Sequence, residues 1–344
     1  MATDGQKKVV VIGGGIAGME AAAQLARMGY DTTIVEKQAR TGGNVANWDH
    51  LFPEGRLAGE VVQQLYQKLS PVRIITGSSV KKADMLEGQY ILTLADGSVL
   101  TTDALVVSTG FRTFDAHRKE EYGYGIYDRV ITSADLEGML NEHQPLFPGR
   151  HKGPRRVAFI HCVGSRDEKV GNRYCSKACC AMAVKQASKV KELYPDAEVY
   201  CFYMDLRMFD RRYEQMYLDA QAKSGVNFIR GRLSEASEDL QGRLVIKAED
   251  TLMSKPLKMT VDMLVLMVGM EPASGARSVA EMLKIPVGHD GFFNATNELL
   301  EANCSGTPGV FLAGTCTGPK TIPETIADAR AAATAADAYL RKKS

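Results

Sequence analysis

The chain has 344 residues, with 42 lysines and arginines against 41 aspartates and glutamates, and a net charge of +1 argues against a dominant nucleic-acid role. A chain of this length buries roughly three quarters of its unfolded surface, so its seven cysteines are not needed to staple a core and read instead as thiols, metal ligands or redox groups. Met1-Ala2-Thr3-Asp4-Gly5 has no basic-then-apolar signal and no apolar run is long enough for a membrane span, so the expected setting is a globular protein of one to three domains in the cytoplasm.

The first predicted unit is the β-branched run Lys7-Lys8-Val9-Val10-Val11-Ile12, then Gly13-Gly14-Gly15-Ile16-Ala17-Gly18, then the alanine-rich stretch to Gly29. A buried strand, a G-x-G-x-x-G turn and a helix packed tightly on the sheet are expected. Gly13 and Gly15 let backbone approach a pyrophosphate, which would sit on the helix N-terminus at Ile16 and Ala17, while Gly18 keeps helix and strand close. A second strand, Thr32-Thr33-Ile34-Val35, ends in Glu36, a carboxylate placed to take ribose hydroxyls. The pattern predicts a dinucleotide site rather than a chance glycine turn.

After Glu36 comes Lys37-Gln38-Ala39-Arg40-Thr41-Gly42-Gly43-Asn44, a second glycine pair. This arrangement resembles the FAD-binding half of the glutathione reductase and thioredoxin reductase superfamily. The resemblance implies FAD, with Gly42, Gly43 and Asn44 passing near its phosphates and ribityl chain; the plainer reading is a surface turn. A helix is predicted over Gly59–Leu69, after a loop holding Trp48, and alternating runs flank an Asp96-Gly97 turn as a hairpin. The strand Ala104–Ser108 then ends in Thr109-Gly110. By the same resemblance, Val80 would meet the adenine through its backbone and Thr109-Gly110 would lie against the flavin.

The strand rhythm breaks around 122–132, and a helix over Ala134–Asn141 leads to Pro145, Pro148 and Pro154, where a domain boundary is expected. A second α/β unit follows: strand Arg156–Ile160, helix Ala178–Tyr194, strand Glu198–Tyr203, helix Arg211–Lys223, strand Val226–Ile229, a hairpin region, and the apolar run Met263–Gly269. That run repeats the rhythm of Leu105–Gly110. The fold class expected is α/β, two Rossmann-like folds of the thioredoxin reductase type with the second inserted in the first, over 1–125, 126–290 and 291–344.

In the last segment the strand Gly309–Gly314 precedes Thr315-Cys316-Thr317-Gly318-Pro319-Lys320, and Thr321-Ile322-Pro323-Glu324 is a capping box opening a long helix. The superfamily resemblance puts the N-terminus of that helix at the flavin pyrimidine, with Gly314, Thr315, Lys320, Thr321 and Ile322 as contacts. Thr315 stands where the superfamily has an aspartate. Lys320 is the candidate for tuning the flavin, against a solvated loop lysine. Cys304 and Cys316 read as unrelated thiols, and Cys201 as core.

In the second fold, Arg156–Ile160 runs into His161-Cys162-Val163-Gly164-Ser165-Arg166-Asp167, with one glycine where a nucleotide fingerprint needs three, so NAD(P)H is not expected there. In its place stand Cys162, Cys175, Cys179 and Cys180, a C-x12-C-x3-C-C run whose density suits an iron–sulfur cluster, or less well zinc; four buried core thiols are the plain alternative. Arg166, Lys169, Arg173 and Lys177 would offset thiolate charge, Cys180 is the candidate if one of the four is not a ligand, and because Cys179-Cys180 cannot point one way in regular structure a distorted turn is expected just before the helix.

The string Cys162-Val163-Gly164-Ser165-Arg166 with Tyr174-Cys175-Ser176-Lys177-Ala178-Cys179-Cys180, and Gly314 followed by Gly318–Pro323, resembles the flavin-bearing A subunit of heterodisulfide reductase over essentially the whole chain. The resemblance implies FAD in the first fold, a [4Fe–4S] cluster on the four cysteines, a homodimer, and partner subunits of a heterodisulfide-reductase-like complex. The ferredoxin-type motifs of long family members do not occur here, as in the short form of sulfur-oxidising prokaryotes. The function expected is electron transfer as an oxidoreductase subunit. The alternatives are a stand-alone NAD(P)H-dependent disulfide reductase, which would need a C-x-x-C or C-x4-C dithiol after Gly43, and an FAD and zinc scaffold.

Overall fold

A computed structural model describes residues 6–147 and 155–343; Met1–Gly5, Pro148 and Pro154 lie outside the described residues. By internal contacts the chain forms two compact units, Met1–Asn47 with Ala58–Arg112 and Glu271–Ser344, and Trp48–Leu57 with Thr113–Met270. The divisions thus fall at 112 and 270, whereas the sequence pattern suggests 125 and 290. The stretch Trp48–Leu57, which reads as a loop of the first domain, belongs to the second unit.

The helices are α1 (Ile16–Arg27), α2 (Ala58–Gln67), α3 (Ser133–Asn141), α4 (Cys179–Leu193), α5 (Arg211–Ala222), α6 (Ala276–Leu283) and α7 (Ile322–Lys342). The first unit holds a five-stranded parallel sheet in the order Val310–Leu312, Ala104–Val107, Lys8–Ile12, Asp31–Val35, Arg73–Ile75. Its central strand is buried on both faces, which is why the sequence there is an unbroken β-branched run rather than an alternating one.

The second unit repeats the plan. Its parallel sheet runs Val130–Thr132, Met263–Val268, Arg156–Val163, Glu198–Tyr203, Asn227–Arg230. In each unit a three-stranded antiparallel meander leads into the strand beside the central one: Val80–Leu86, Gln89–Leu94 and Val99–Thr102 in the first, Leu233–Glu238, Leu244–Asp250 and Lys255–Val261 in the second. One edge differs. The first sheet takes its edge strand from the chain's last segment, the second from Val130–Thr132, upstream of its central strand.

The hairpin across Asp96-Gly97 is present, but Val80–Leu86 adds a third strand beyond the two expected. Polar, exposed residues along it hide its pairing. Likewise Val130–Thr132 is only three residues long and too short to show a period.

Candidate functional site

In the first unit the strand Lys8–Ile12 passes into α1 through three residues, and the glycines divide the work. Gly13 has φ +107, and a Cβ there would stand 2.4 Å from the Ser108 carbonyl oxygen; a Cβ on Gly18 would stand 1.8 Å from the Gly13 oxygen. These two permit the close strand–helix approach. Gly15 is different. It is the N-cap of α1, no side chain caps the helix, and a Cβ would meet only Gly43 Cα at 3.9 Å. The unpaired first-turn N–H groups at Ile16 and Ala17 therefore face a cradle whose far wall is Gly42-Gly43, bridged to Gly15 through the Gly42 N–H donating to Gly14 O at 2.8 Å.

Glu36 closes the cradle. Its buried carboxylate accepts the Gly14 N–H at 2.5 Å on Oε2 and the Gln38 N–H at 2.7 Å on Oε1, which fixes its plane at the end of Asp31–Val35. Each oxygen keeps acceptor capacity for a hydroxyl donor. Lys37 is exposed and its Nζ donates to Ser274 O at 3.4 Å; Asn44 Nδ2 donates to Phe111 O at 3.0 Å. Val80 opens its strand, paired with Leu94.

On the other side, Gly110 has φ +73 and Thr109 Oγ1 is buried with no hydrogen-bond partner among the described residues. An orphaned hydroxyl, an uncapped helix terminus and a cradle that a Cβ would fill fit a dinucleotide with a flavin ring. Gly314, φ +77, lets the C-terminal segment pass α1, since a Cβ there would lie 2.6 Å from Ala17 Cβ. Thr315 Oγ1 lies 3.8 Å from where a Gly110 Cβ would be. Lys320 is no solvated loop lysine: Nζ donates to Gly314 O at 3.1 Å and to Thr317 Oγ1 at 2.5 Å, and lies 3.7 Å from Asp328 Oδ2. Asp328 Oδ2 also accepts the Gly314 N–H at 2.6 Å. Sequence reasoning misses Asp328, deep within α7, because no local pattern marks it. The Thr321 capping box is formed, with its N–H and hydroxyl both donating to Glu324 Oε2, at 2.8 and 2.9 Å, and Ile322 starts α7.

In the second unit the strand Arg156–Val163 ends in a register shift between Ile160 and Val163, and Cys162 adopts φ +60. A bulge of this kind re-aims a side chain. Where the first unit enters its helix after three residues, here fifteen intervene before α4. No fingerprint turn fits that excursion, and the first of its two glycines, Gly164, at positive φ, backs onto the Phe114 ring, where a Cβ would stand 2.0 Å away. Buried Asp167 anchors the loop, accepting Lys119 Nζ at 2.8 Å and Arg232 Nη2 at 2.8 Å. Asn172 Nδ2 donates to Gly164 O at 2.9 Å, and the Met270 N–H to Ser176 Oγ at 2.8 Å.

Three of the four thiols converge. Cys162 and Cys180 stand close enough to Cys179 that, together with burial, they push its thiol well above the ordinary range, and the Cys180 thiol itself donates to Asp205 O at 3.8 Å. Cys162 and Cys180 are drawn down by Cys179 against their burial, and His161 lowers both further. Cys175 is half-buried, and its Sγ accepts the Lys177 N–H at 3.3 Å. Among the described residues no group of three or more histidine, cysteine, aspartate or glutamate side chains is arranged to hold a metal ion. By residue type, buried Cys162, Cys179 and Cys180 with half-buried Cys175 match a thiophilic centre in donor chemistry.

Two expectations about this loop need correction. Cys179 and Cys180, expected not to fit regular structure, are the first two residues of regular α4, while the distorted turn expected just before the helix is present at Lys177 with φ +63. Of the four cations, Arg166 stands beside Cys162, whereas Arg173 pairs with Glu168 at 3.3 Å and Lys177 Nζ lies over the Phe209 ring. Cys201 is core, as expected. Cys316 is buried too, its thiol donating to Ala313 O at 3.2 Å; Cys304 is half-buried.

A family model for pyridine nucleotide-disulphide oxidoreductases matches residues 2–145 and 170–333. The chain belongs to this family. The unmatched stretch contains the strand Arg156–Val163 and the start of the thiol loop, where this oxidoreductase departs from a nucleotide-binding turn. Among curated proteins it is similar to an iron–sulfur A subunit of the CoB–CoM heterodisulfide reductase of Methanopyrus kandleri, 33% identical over 96% of this chain and 64% of the relative. It is also similar to the A subunit of the H(2):CoB-CoM heterodisulfide,ferredoxin reductase of Methanothermobacter marburgensis, 33% identical over 95% and 63%. The chain thus spans under two thirds of these relatives' length. The first alignment covers 425 positions, more than this chain has, so that relative carries sequence inserted within the matched span. Solved thioredoxin reductases of T. acidophilum and Lactococcus lactis share the fold, with TM-scores of 0.66 and 0.68, at 18% identity over 98% of this chain and 100% of theirs. Among the described residues, no helix is long and apolar enough to cross a membrane.

Proposed function

We propose that this oxidoreductase is an electron-transfer component of a heterodisulfide-reductase-like complex, holding FAD in the first unit and a [4Fe–4S] cluster on Cys162, Cys175, Cys179 and Cys180. The observation that carries the reading is the exchange in the second unit: the central strand bulges at buried Cys162 and reaches buried Cys179 and Cys180 at the start of α4 only after fifteen residues, where a nucleotide-binding turn would lie. The names of the heterodisulfide reductase relatives it resembles, iron–sulfur among them, support it.

FAD would exchange electrons in pairs and the cluster singly, with substrate chemistry left to partner subunits. The chain's residues do the holding. Gly15, Ile16, Ala17, Gly42 and Gly43 receive the pyrophosphate, Glu36 the ribose, and Thr109 offers its unpaired hydroxyl. Lys320 and Asp328 hold the Gly314–Thr317 turn in shape. The setting proposed is the cytoplasm, the assembly a homodimer with partner subunits, and the pathway sulfur oxidation.

Anaerobic mixing with NADH or NADPH tests the reading against a stand-alone reductase. The flavin absorbance is expected to persist with either nucleotide and to bleach with dithionite. Rapid bleaching by NADH would sink the proposal. Separately, Cys175→Ala is expected to lose iron and keep flavin; a full complement of iron in that variant would overturn the ligand set.

A further inference from the structure

Four polar atoms in the thiol loop are buried without a hydrogen-bond partner among the described residues: His161 Nδ1 and Nε2, Ser165 Oγ and Arg166 Nη1. His161 is 6% exposed and Ser165 0%. Neighbouring polar groups of the same loop are tied off, Asn172 to Gly164 O, Asp167 to Lys119 and Arg166 Nη2 to Asp205 at 2.6 Å. A buried donor left unpaired costs about 1–3 kcal/mol, so orphans gathered within six residues of chain mark a place where an acceptor is missing. The groups they adjoin are sulfurs: His161 directly precedes Cys162 in the chain, and the Arg166 guanidinium and the Cys180 thiol both donate to Asp205, at 2.6 and 3.8 Å.

We propose that His161 and Arg166 donate N–H hydrogen bonds to the sulfurs of the cluster centre and thereby raise its reduction potential. The inference rests on the cluster reading given above. Reduction adds one electron to an already sulfur-rich, negatively charged centre. N–H donors and a guanidinium aimed at sulfur stabilise the reduced form more than the oxidised one. His161 can serve in its neutral form, which keeps one N–H, so no change of protonation is needed.

The test is an EPR-monitored redox titration of the anaerobically reconstituted full chain against His161→Leu and His161→Gln, with dithionite as reductant. His161→Leu is expected to lower the reduced-to-oxidised ratio at fixed potential about tenfold, ~59 mV for one electron; His161→Gln, which keeps an N–H donor, should recover most of that. Iron retained in His161→Leu at an unshifted potential overturns the proposal. Should that variant hold no iron, pulsed EPR on the unsubstituted protein with 15N-labelled histidine decides instead: a weak 15N coupling to the reduced centre supports the bond, and its absence overturns it. A chain that takes up no iron overturns the cluster reading and this inference together, whereas iron at an unchanged potential overturns this inference alone.

Discussion

A Cβ on Gly18 would stand 1.8 Å from a backbone oxygen, whereas one on Gly15 would meet nothing closer than 3.9 Å. The same motif therefore predicts two different phenotypes. Gly18→Ala should lower stability by about 1–3 kcal/mol or more, because a carbonyl cannot swing aside as a side chain does. Gly15→Val should cost the cofactor-free protein only about 1 kcal/mol, the penalty of a poorer N-cap, while abolishing flavin binding, read as FAD per chain after purification. Full FAD occupancy in Gly15→Val would contradict the cradle. Asp167 makes a prediction in pH. Burial pushes its carboxyl up, but the Lys119 hydrogen bond and charge, with Arg232, outweigh this and hold it below its ordinary 3.8. A depressed carboxylate contributes stability above its unfolded pKa and loses it as pH falls through the folded one. The second unit should therefore weaken below about pH 4, and Lys119→Met should shrink that acid-dependent share. Removing one partner of a buried pair costs about 3–5 kcal/mol, and Arg232 remaining on Asp167 argues for the lower end. Acid titration of thermal stability in both proteins checks the sign and the size.

At the scale of elements, α7 depends on its start. Thr321 and Glu324 form a reciprocal cap with Pro323 in the first turn, so Thr321→Ala should cost about 1 kcal/mol, measurable by denaturant unfolding. This cap is legible in the sequence because its signal is local: two residue types three apart. The central strands are legible for the same reason, as unbroken apolar runs can only be buried. What escapes the sequence depends on distant partners. Val80–Leu86 is mostly exposed and polar and becomes a strand only through pairing with Gln89–Leu94. Trp48–Leu57 joins the second unit through contacts such as the Asp49 N–H donating to Glu137 at 3.1 Å and the edge-on packing of Phe52 on Tyr213. The cysteine motif is plain in the sequence, but the backbone around it is not: Cys179-Cys180 start a regular helix because Lys177 takes the left-handed turn before them. His161, unremarkable as a sequence neighbour of Cys162, gains its interest from two buried ring nitrogens without a hydrogen-bond partner among the described residues.

Across the whole molecule, the two sheets share the order of four strands and one meander placement, differing in where the remaining edge strand comes from, and their central strands leave by unlike routes. The first turns at once into an uncapped helix; the second bulges at Cys162 and runs through an anchored fifteen-residue loop. The two units thus repeat one architecture, and among the described residues the glycine fingerprint turn follows the central strand of the first alone. The most direct test is to purify the full chain anaerobically, rebuild it with ferrous iron and sulfide, and quantify flavin, iron and acid-labile sulfide on the same sample. About four irons and four sulfides per chain beside one FAD are predicted; flavin bound at full occupancy with no iron after rebuilding would contradict the account.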